Sequence, residues 1–297
     1  MTALRGFAFL LLGAVLVAPA HSAPDAQAAA DSTVTIKQHL RARLGGSQAS
    51  FRNWSEGGIN SLALSADIDG KRERTSQNWQ QTHELRLTLG VVKQDTLEFR
   101  KAEDQIRWRS AFKFTGEEGF LRIFVPTLST SLRTQFTTGF NYKKNPFGDD
   151  RPLPVRVSNF FAPATVTQSL GLSFEPVSWI DQQLAIGAKQ TIVTVPEYRA
   201  LYRVSADRNA RFEMGIELRN SLEREVFENV NVRSVLLLFT AFNLPDKPDL
   251  IWENLVRMKV NGWLDVNMEL VMQYDQDVSR QLQLKEVVSL GMSFNLI

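Results

Sequence analysis

Apolar and polar residues alternate along most of this chain with a period of two, which is the spacing of side chains on a β-strand. The segment 211–219 is the clearest example. Its alternating sets are Phe212, Met214, Ile216 and Leu218 on one face, and Arg211, Glu213, Glu217 and Arg219 on the other. An α-helix would scatter both sets around its circumference, so the segment is predicted to be a strand with two unlike faces.

The same alternation recurs after residue 34. The strong segments are 61–68, 84–91, 106–114, 133–142, 166–174, 211–219, 252–260, 265–274 and 288–296, and the weaker ones are 36–46, 184–191 and 230–243. A tilted strand needs roughly 10 residues to cross a bilayer, which is near the length of these segments. The pattern predicts an all-β fold, a transmembrane antiparallel up-and-down β-barrel of about 12 strands over residues 34–297. Residues 116–127 could hold further strand, so the predicted count has a margin of two.

The connections between these segments alternate in length. Short turns are predicted at 176–180, 223–229 and 261–263, and longer connections at 45–58, 143–163, 195–208 and 275–281. Short turns at one end and long loops at the other are typical of outer-membrane barrels. A soluble barrel with its apolar face inward also alternates. Arginine on the polar face and aromatic residues towards the strand ends favour the membrane barrel.

The amino-terminal residues predict export. A basic start at Met1–Arg5 precedes an apolar run, Phe7–Ala18, and the small-residue pattern Ala18-Pro19-Ala20. We therefore predict a signal peptide over 1–20, a flexible periplasmic leader over 21–33, and a location in the cell outer membrane. The last residues, 291–297, resemble the amphipathic strand that barrel-assembly machinery recognises, although Phe294 lies three residues before the end. Outer-membrane lipid and that machinery are the expected partners.

Several short stretches resemble an uncharacterised outer-membrane β-barrel family, a domain of unknown function common in Bacteroidetes-type bacteria. The matching stretches are Asn53-Trp54-Ser55-Glu56-Gly57-Gly58, Asn60-Ser61-Leu62, Thr134-Gln135-Phe136 with Gly139, Trp252-Glu253-Asn254, Lys259-Val260-Asn261 with Tyr274-Asp275, and Lys285-Glu286-Val287. They are spread over most of the chain, so the resemblance implies the fold and the location of the whole barrel. It implies no catalytic residue.

The composition and the histidines argue against an enzyme. The net charge of +2 does not suggest a nucleic-acid partner, and the absence of cysteine removes thiolate chemistry. Of three histidines, only His83 could pair with a serine or threonine on a neighbouring strand, as a lipid-modifying barrel enzyme would require. No metal-ligand spacing and no phosphate loop is present, so no catalytic residue, metal or cofactor is predicted.

The most distinctive local motif is Asn53, Trp54, Ser55, Gly57 and Gly58. It could contact a partner or fold into the mouth of the barrel. We favour a tight glycine turn with Trp54 at the level of the lipid headgroups.

The predicted lumen is basic. Its expected basic face comprises Arg41, Arg43, Arg86, Arg107, Arg109, Lys113, Arg133, Arg211, Arg219, Arg257 and Lys259. With Lys37, Lys189, Arg233 and Lys285 added, these cations exceed the carboxylates assigned inward by about eight. The leading hypothesis is a non-enzymatic channel for small anionic solutes. The alternatives are a narrow barrel held together by Arg–carboxylate networks, a structural or surface-binding barrel that acts through its extracellular loops, and the lipid-modifying enzyme.

Overall fold

The computed structural model describes residues 34–51, 59–115, 119–276 and 279–297. The chain divides into two compact units, Met1–Ser32 and Thr33–Ile297, and the description concerns the second. The predicted signal peptide (1–20), the leader (21–33) and the motif Asn53–Gly58 lie outside the described residues, so those predictions stay predictions.

Twelve of the strands in the described part of the chain form a closed antiparallel barrel, as the alternation predicted. Each strand pairs with its neighbours along the chain, apart from an excursion between the fifth and sixth barrel strands that forms a separate hairpin, β6–β7. The strands are β1 Thr35–Ala49, β2 Ser61–Thr75, β3 Trp79–Gln94, β4 Arg100–Phe114, β5 Val125–Thr134, β6 Gly139–Asn141, β7 Val155–Ser158, β8 Ala164–Val177, β9 Ile180–Ile192, β10 Ala210–Phe227, β11 Val230–Ala241, β12 Asp249–Lys259, β13 Leu264–Asp275 and β14 Ser279–Asn295.

The outer surface of the barrel is apolar because alternate residues of each strand point away from the lumen. Large hydrophobic side chains are exposed there, including Leu64, Ile68, Leu89, Phe112, Leu128, Leu170, Ile186, Met214, Ile216, Met268, Leu290 and Met292. The residues between them point inward and are mostly polar. Thr88, Ser129, Ser169 and Gln183 are buried examples. The fold therefore has its polar face inside, the reverse of a soluble barrel.

The two ends of the barrel differ in the length of their connections. One end, here the short-turn end, carries 76–78, 115–124, 178–179, 228–229 and 260–263; the other, the long-loop end, carries 50–60, 95–99, 135–163, 193–209, 242–248 and 276–278. The predicted short turns share one end, and the predicted long connections share the other. The connection predicted over 275–281 is shorter than expected, because strands occupy Asp275 and Ser279.

The strand predicted over 133–142 is wrong. The barrel strand is β5, Val125–Thr134, and residues 139–141 belong to the hairpin outside the barrel. Of the stretch 116–127 that could have held further strand, Phe120–Ile123 is a single helical turn and residues 125–127 are the start of β5. The alternation of apolar and polar residues thus continues past the end of β5, into the loop 135–163 outside the barrel wall.

The barrel closes between its first and last strands. Residues 41–46 of β1 pair with 290–295 of β14, whereas β1 pairs with β2 along its full length. Among the described residues, no helix is long and apolar enough to cross a membrane.

The two longest connections pack against each other at the long-loop end. The loop 135–163 carries the hairpin, and the loop 193–209 carries a 3₁₀ helix, Pro196–Tyr202. Together they bury a small hydrophobic core of Ala162, Val193, Tyr198 and Val204. The Tyr202 hydroxyl donates to the Val157 carbonyl over 3.1 Å, which joins the two loops. This pair of loops is called the loop cap below.

Candidate functional site: the barrel lumen

The strand registers put the predicted basic residues on the inward face. Arg43, Lys113 and Arg219 are buried there. Arg41 lies two residues before Arg43 on the same face of β1, and its Nε donates to Asn295 over 3.2 Å. Arg257 and Lys259 alternate with outward residues on β12, facing Asn267 and Asp265. Lys259 is exposed, at the short-turn end.

Three of these arginines form a row across neighbouring strands. Arg86 of β3 is the direct register partner of Arg107 of β4, and Arg107 is the partner of Arg133 of β5. Like charges directly opposite on adjacent strands repel each other. The row is therefore stable only if each guanidinium has a carboxylate or another hydrogen-bond acceptor elsewhere as its partner.

Each arginine of the row reaches across the lumen. Arg107 pairs with Glu253 of β12, which lies six strands away in the ring of twelve. Arg133 donates to the Gln273 side-chain oxygen over 2.9 Å, on a strand that is also six away, and Arg86 pairs with Glu269 at 3.1 Å. These three links, called the crossbars below, span the lumen; the first two join opposite walls, and the third joins strands four apart.

Further pairs cross the lumen on both sides of the crossbars. Arg219 approaches Glu84 at 3.5 Å, and Arg233 approaches Asp69 at 3.4 Å, each between strands five apart. Lys285 pairs with Glu103 at 2.6 Å and with Glu269 at 3.0 Å. The interior is thus held by ion pairs rather than lined by uncompensated cations.

The positive charge of the interior is more nearly balanced by carboxylates than the sequence predicted. The basic residues that line the main cavity are Lys71, Arg86, Arg107, Arg109, Arg133, Lys189, Arg211, Arg219 and Arg233; the acidic ones are Asp69, Glu84, Asp104, Glu217, Glu223, Asp249, Glu253 and Asp275. The surplus of about eight was too large because the strands extend beyond the predicted segments. Those extensions bring in inward carboxylates such as Asp69 and Asp249.

One wall of the lumen is apolar. Val235, Leu237 and Phe239 of β11 point inward, and Ile251 of β12 lines the same cavity. Lys189 lies 4.8 Å from the centre of the Phe239 ring, so a cation covers part of this stripe. Apolar and polar residues do not alternate at 235–239, because both faces of β11 are apolar there. The sequence carried this signal, but periodicity alone could not say which side faced the lumen.

A cavity of about 450 Å³ is lined by residues of these elements. Towards the short-turn end it is lined by His39, Lys71 and Glu223. Towards the long-loop end it is lined by Asp249, Asp275 and Tyr202 of the loop cap. The cavity therefore reaches residues near both ends of the barrel, with the crossbars between them.

The loop cap contributes one titratable group to the mouth of this cavity. Burial raises the pKa of the Tyr202 phenol to about 12, because a phenolate is poorly solvated there. At neutral pH this hydroxyl is a hydrogen-bond donor, in agreement with its bond to the Val157 carbonyl. Sequence periodicity could not have placed it, since it lies in an irregular segment.

The histidine considered for catalysis does not assemble into a reactive site. His83 faces outward from β3 and is the register partner of Ser110. Its Nε2 lies 2.6 Å from the Gln81 amide nitrogen, and its ring meets Phe112 edge-on. No hydrogen bond joins the His83 and Ser110 side chains in the described part of the chain. Within the same residues, no group of three or more His, Cys, Asp or Glu could hold a metal ion.

Part of the chain matches a family model. Residues 47–140 match the family described as "Protein of unknown function (DUF3078)". This range contains the resemblance stretches from Asn53 to Gly139, and those after residue 250 lie outside it. No curated protein matches the sequence significantly.

Several solved structures of bacterial outer-membrane proteins have a similar chain trace. The translocator domain of autotransporter NalP from Neisseria meningitidis is 10% identical, with 88% of each chain covered and a TM-score of 0.35. An outer membrane channel from Pseudomonas putida F1 is 8% identical, covering 93% of this chain and 99% of that one, with a TM-score of 0.36. The outer membrane channel DcaP of Acinetobacter baumannii is 9% identical, covering 89% and 97%, with a TM-score of 0.31.

Proposed function

We propose that this protein is a non-enzymatic outer-membrane channel for small organic anions. The observation that carries the proposal is the cavity of about 450 Å³, which reaches residues near both ends of the barrel and combines inward arginines with an apolar stripe. A closed barrel with such an interior offers a polar path that is isolated from its surroundings.

The outer surface supports a location in the membrane. Exposed apolar side chains cover the strands, and exposed aromatic side chains collect near both rims. Those near the short-turn end include Phe114, Phe227, Trp263 and Phe294, and those near the long-loop end include Phe99, Tyr142, Phe212 and Phe242. Aromatic girdles that flank an apolar band are characteristic of barrels in lipid. In this proposal β14 is the segment that barrel-assembly machinery engages.

Arginines with neutral partners support a preference for anions. Arg109 donates to the Gln183 side-chain oxygen over 2.9 Å, and Arg133 donates to Gln273 over the same distance. An amide oxygen does not cancel the charge of a guanidinium, so neither arginine is neutralised by its hydrogen-bond partner. A carboxylate that enters the lumen can replace the amide as a charge-assisted partner. The apolar stripe on β11 accommodates the non-polar part of an organic anion.

The crossbars predict a low conductance at rest. A solute must pass the links from Arg107 to Glu253 and from Arg133 to Gln273, which occupy the lumen. We therefore propose that passage requires an anion to exchange with these acceptors, one molecule at a time.

Planar-bilayer recording of the purified protein tests the proposal. Under a tenfold KCl gradient, the reversal potential should indicate preference for chloride, and benzoate should reduce the chloride current by competing for the arginines. Arg109→Gln with Arg133→Gln should abolish the anion preference. Arg224→Gln is the matched control, since Arg224 lies 5.0 Å from the Trp179 ring at the short-turn rim. No conductance in any condition, or preference for potassium, would contradict the channel.

The loop cap favours a second candidate function, surface binding. Loops with a buried core of their own present a defined surface, which flexible loops do not. Replacement of residues 141–157 by a short Gly-Ser linker should then remove binding of a surface polysaccharide or protein without changing the conductance. If the conductance changes and binding does not, the loop cap serves the channel instead.

A further inference from the structure

A group of five cations lies at the long-loop end of the barrel. It comprises Lys93 at the end of β3, Arg100 at the start of β4, and Lys143, Lys144 and Arg156 of the hairpin loop. All but Arg100, which is half-buried, are exposed. This cluster is called the basic rim.

Aromatic rings support the cations of the basic rim. The Arg100 guanidinium lies 4.2 Å from the centre of the Tyr142 ring, and the Arg156 guanidinium lies 5.9 Å from that of Phe140. The two rings are themselves 6.1 Å apart. Stacking of this kind leaves the edges of a guanidinium free to donate hydrogen bonds.

The hairpin that carries these rings is attached to the barrel wall by buried charge. Asp104 of β4 accepts from the backbone nitrogens of Phe136 and Thr137 over 2.7 and 2.8 Å. Lys101 donates to the Thr137 carbonyl over 3.2 Å and pairs with Asp104 at 3.0 Å. The basic rim therefore has a defined geometry, because these bonds hold the hairpin loop against β4.

The basic rim differs from the lumen in lacking carboxylate partners. Lumen cations such as Arg107 and Lys285 form ion pairs, but none of the five basic-rim cations does so with the described residues. Asp95 and Glu98, in the connection between β3 and β4, are the acids nearest along the chain. The basic rim thus combines cations that form no ion pair with aromatic rings at the long-loop end.

We infer that the basic rim binds the phosphate groups of an anionic lipid headgroup in the leaflet at the long-loop end. Rings at this height lie among headgroups, and the cations beside them meet lipid phosphates with several N–H donors. The inference rests on the membrane location proposed above, but not on solute passage through the lumen. Conductance without lipid binding would contradict only this inference, and lipid binding without conductance would contradict only the proposed channel.

Native mass spectrometry of the full-length protein in dodecyl maltoside tests the inference, with bisphosphorylated lipid A as the probe and its dephosphorylated form for comparison. Each surface cation contributes about fivefold to binding of an anionic lipid. The variant Arg100→Gln/Lys143→Gln/Lys144→Gln/Arg156→Gln should therefore bind the phosphorylated lipid at least about tenfold more weakly. The matched control is Arg72→Gln/Arg74→Gln/Arg224→Gln, on the outer face near the opposite rim, which should bind as the unmodified protein does.

Two results would overturn the inference: equal retention of both lipid forms, or loss of binding in the control variant alone. Inorganic phosphate that displaces the lipid at equal concentration would also contradict it, because the site would then be one for free phosphate. If the fourfold variant does not fold, Asp95→Asn/Glu98→Gln provides the reverse test. Removing these two acids should strengthen lipid binding severalfold, and unchanged binding would count against the basic rim.

Discussion

Arg43 is the cation on which the structure allows the most specific stability prediction. Its side chain is 4% exposed, as is that of Asp265, and its Nε donates to Asp265 over 2.7 Å. One terminal nitrogen donates to both the carbonyl and the hydroxyl of Ser289 over 3.0 Å, and the other lies 3.7 Å from Asp67. The Arg43→Met variant keeps the length of the side chain and removes all of these donors.

The expected cost follows from what the variant leaves behind. Asp265 would remain buried without its ion-pair partner, although Ser293 still donates to it. Removing one member of a buried ion pair costs about 3–5 kcal/mol, because the remaining charge is uncompensated. The double variant Arg43→Met/Asp265→Leu removes that charge as well. It should recover at least about 2 kcal/mol relative to Arg43→Met.

Urea titration of the folded barrel in lipid vesicles, followed by tryptophan fluorescence, measures these free energies of unfolding. Arg41→Met is the matched control: it lies on the same face of the same strand, and among the described residues its side chain bonds only Asn295. It should cost about 1 kcal/mol or less. Two results would show that the ion pair is not the source of stability. Arg43→Met could lower the free energy of unfolding no more than the control does, or the loss in the double variant could equal the sum of the losses in Arg43→Met and Asp265→Leu.

Three further expectations concern other parts of the barrel. Gly291→Ala would place a methyl group 2.5 Å from the Arg43 guanidinium, so it should lower the free energy of unfolding by about 1–3 kcal/mol in the same titration. Arg107→Gln/Glu253→Gln removes one crossbar without changing the net charge, so single-channel conductance should rise; an unchanged value would mean that the link does not limit passage. The raised pKa of Tyr202 favours its neutral form, so docking of the loop cap should be lost as the pH rises from about 10 to about 12; ultraviolet titration of the four tyrosines should show a late step that Tyr202→Phe removes.

The strand count and the inward positions could be predicted because both depend only on local alternation. In β10 the predicted faces agree with exposed Phe212 and Met214 and buried Glu213. The same logic was wrong at Phe136 and Phe140, which alternate correctly but lie in the hairpin loop. Alternation reports an extended backbone, and an extended backbone need not belong to the barrel wall.

The crossbars could not be predicted because they depend on strands that are distant in the sequence. Arg133 and Gln273 are 140 residues apart, and Arg86 and Glu269 are 183 apart. Which residues face each other across a barrel depends on the stagger of all intervening strands. The sequence therefore indicated a basic face, whereas the balance of charge became visible only with the carboxylates of the opposite wall.

The short seam between β1 and β14 has a mechanical consequence. Every other pair of neighbouring barrel strands in the described residues is joined over a longer stretch than the pairing of 41–46 with 290–295. Backbone hydrogen bonds across a seam act in parallel, so the shortest row is the first to part under sideways tension. In the proposed membrane location, lateral tension would thus be resisted least at this line, and a wall that opens there would unroll as a sheet with β1 and β14 as its free edges.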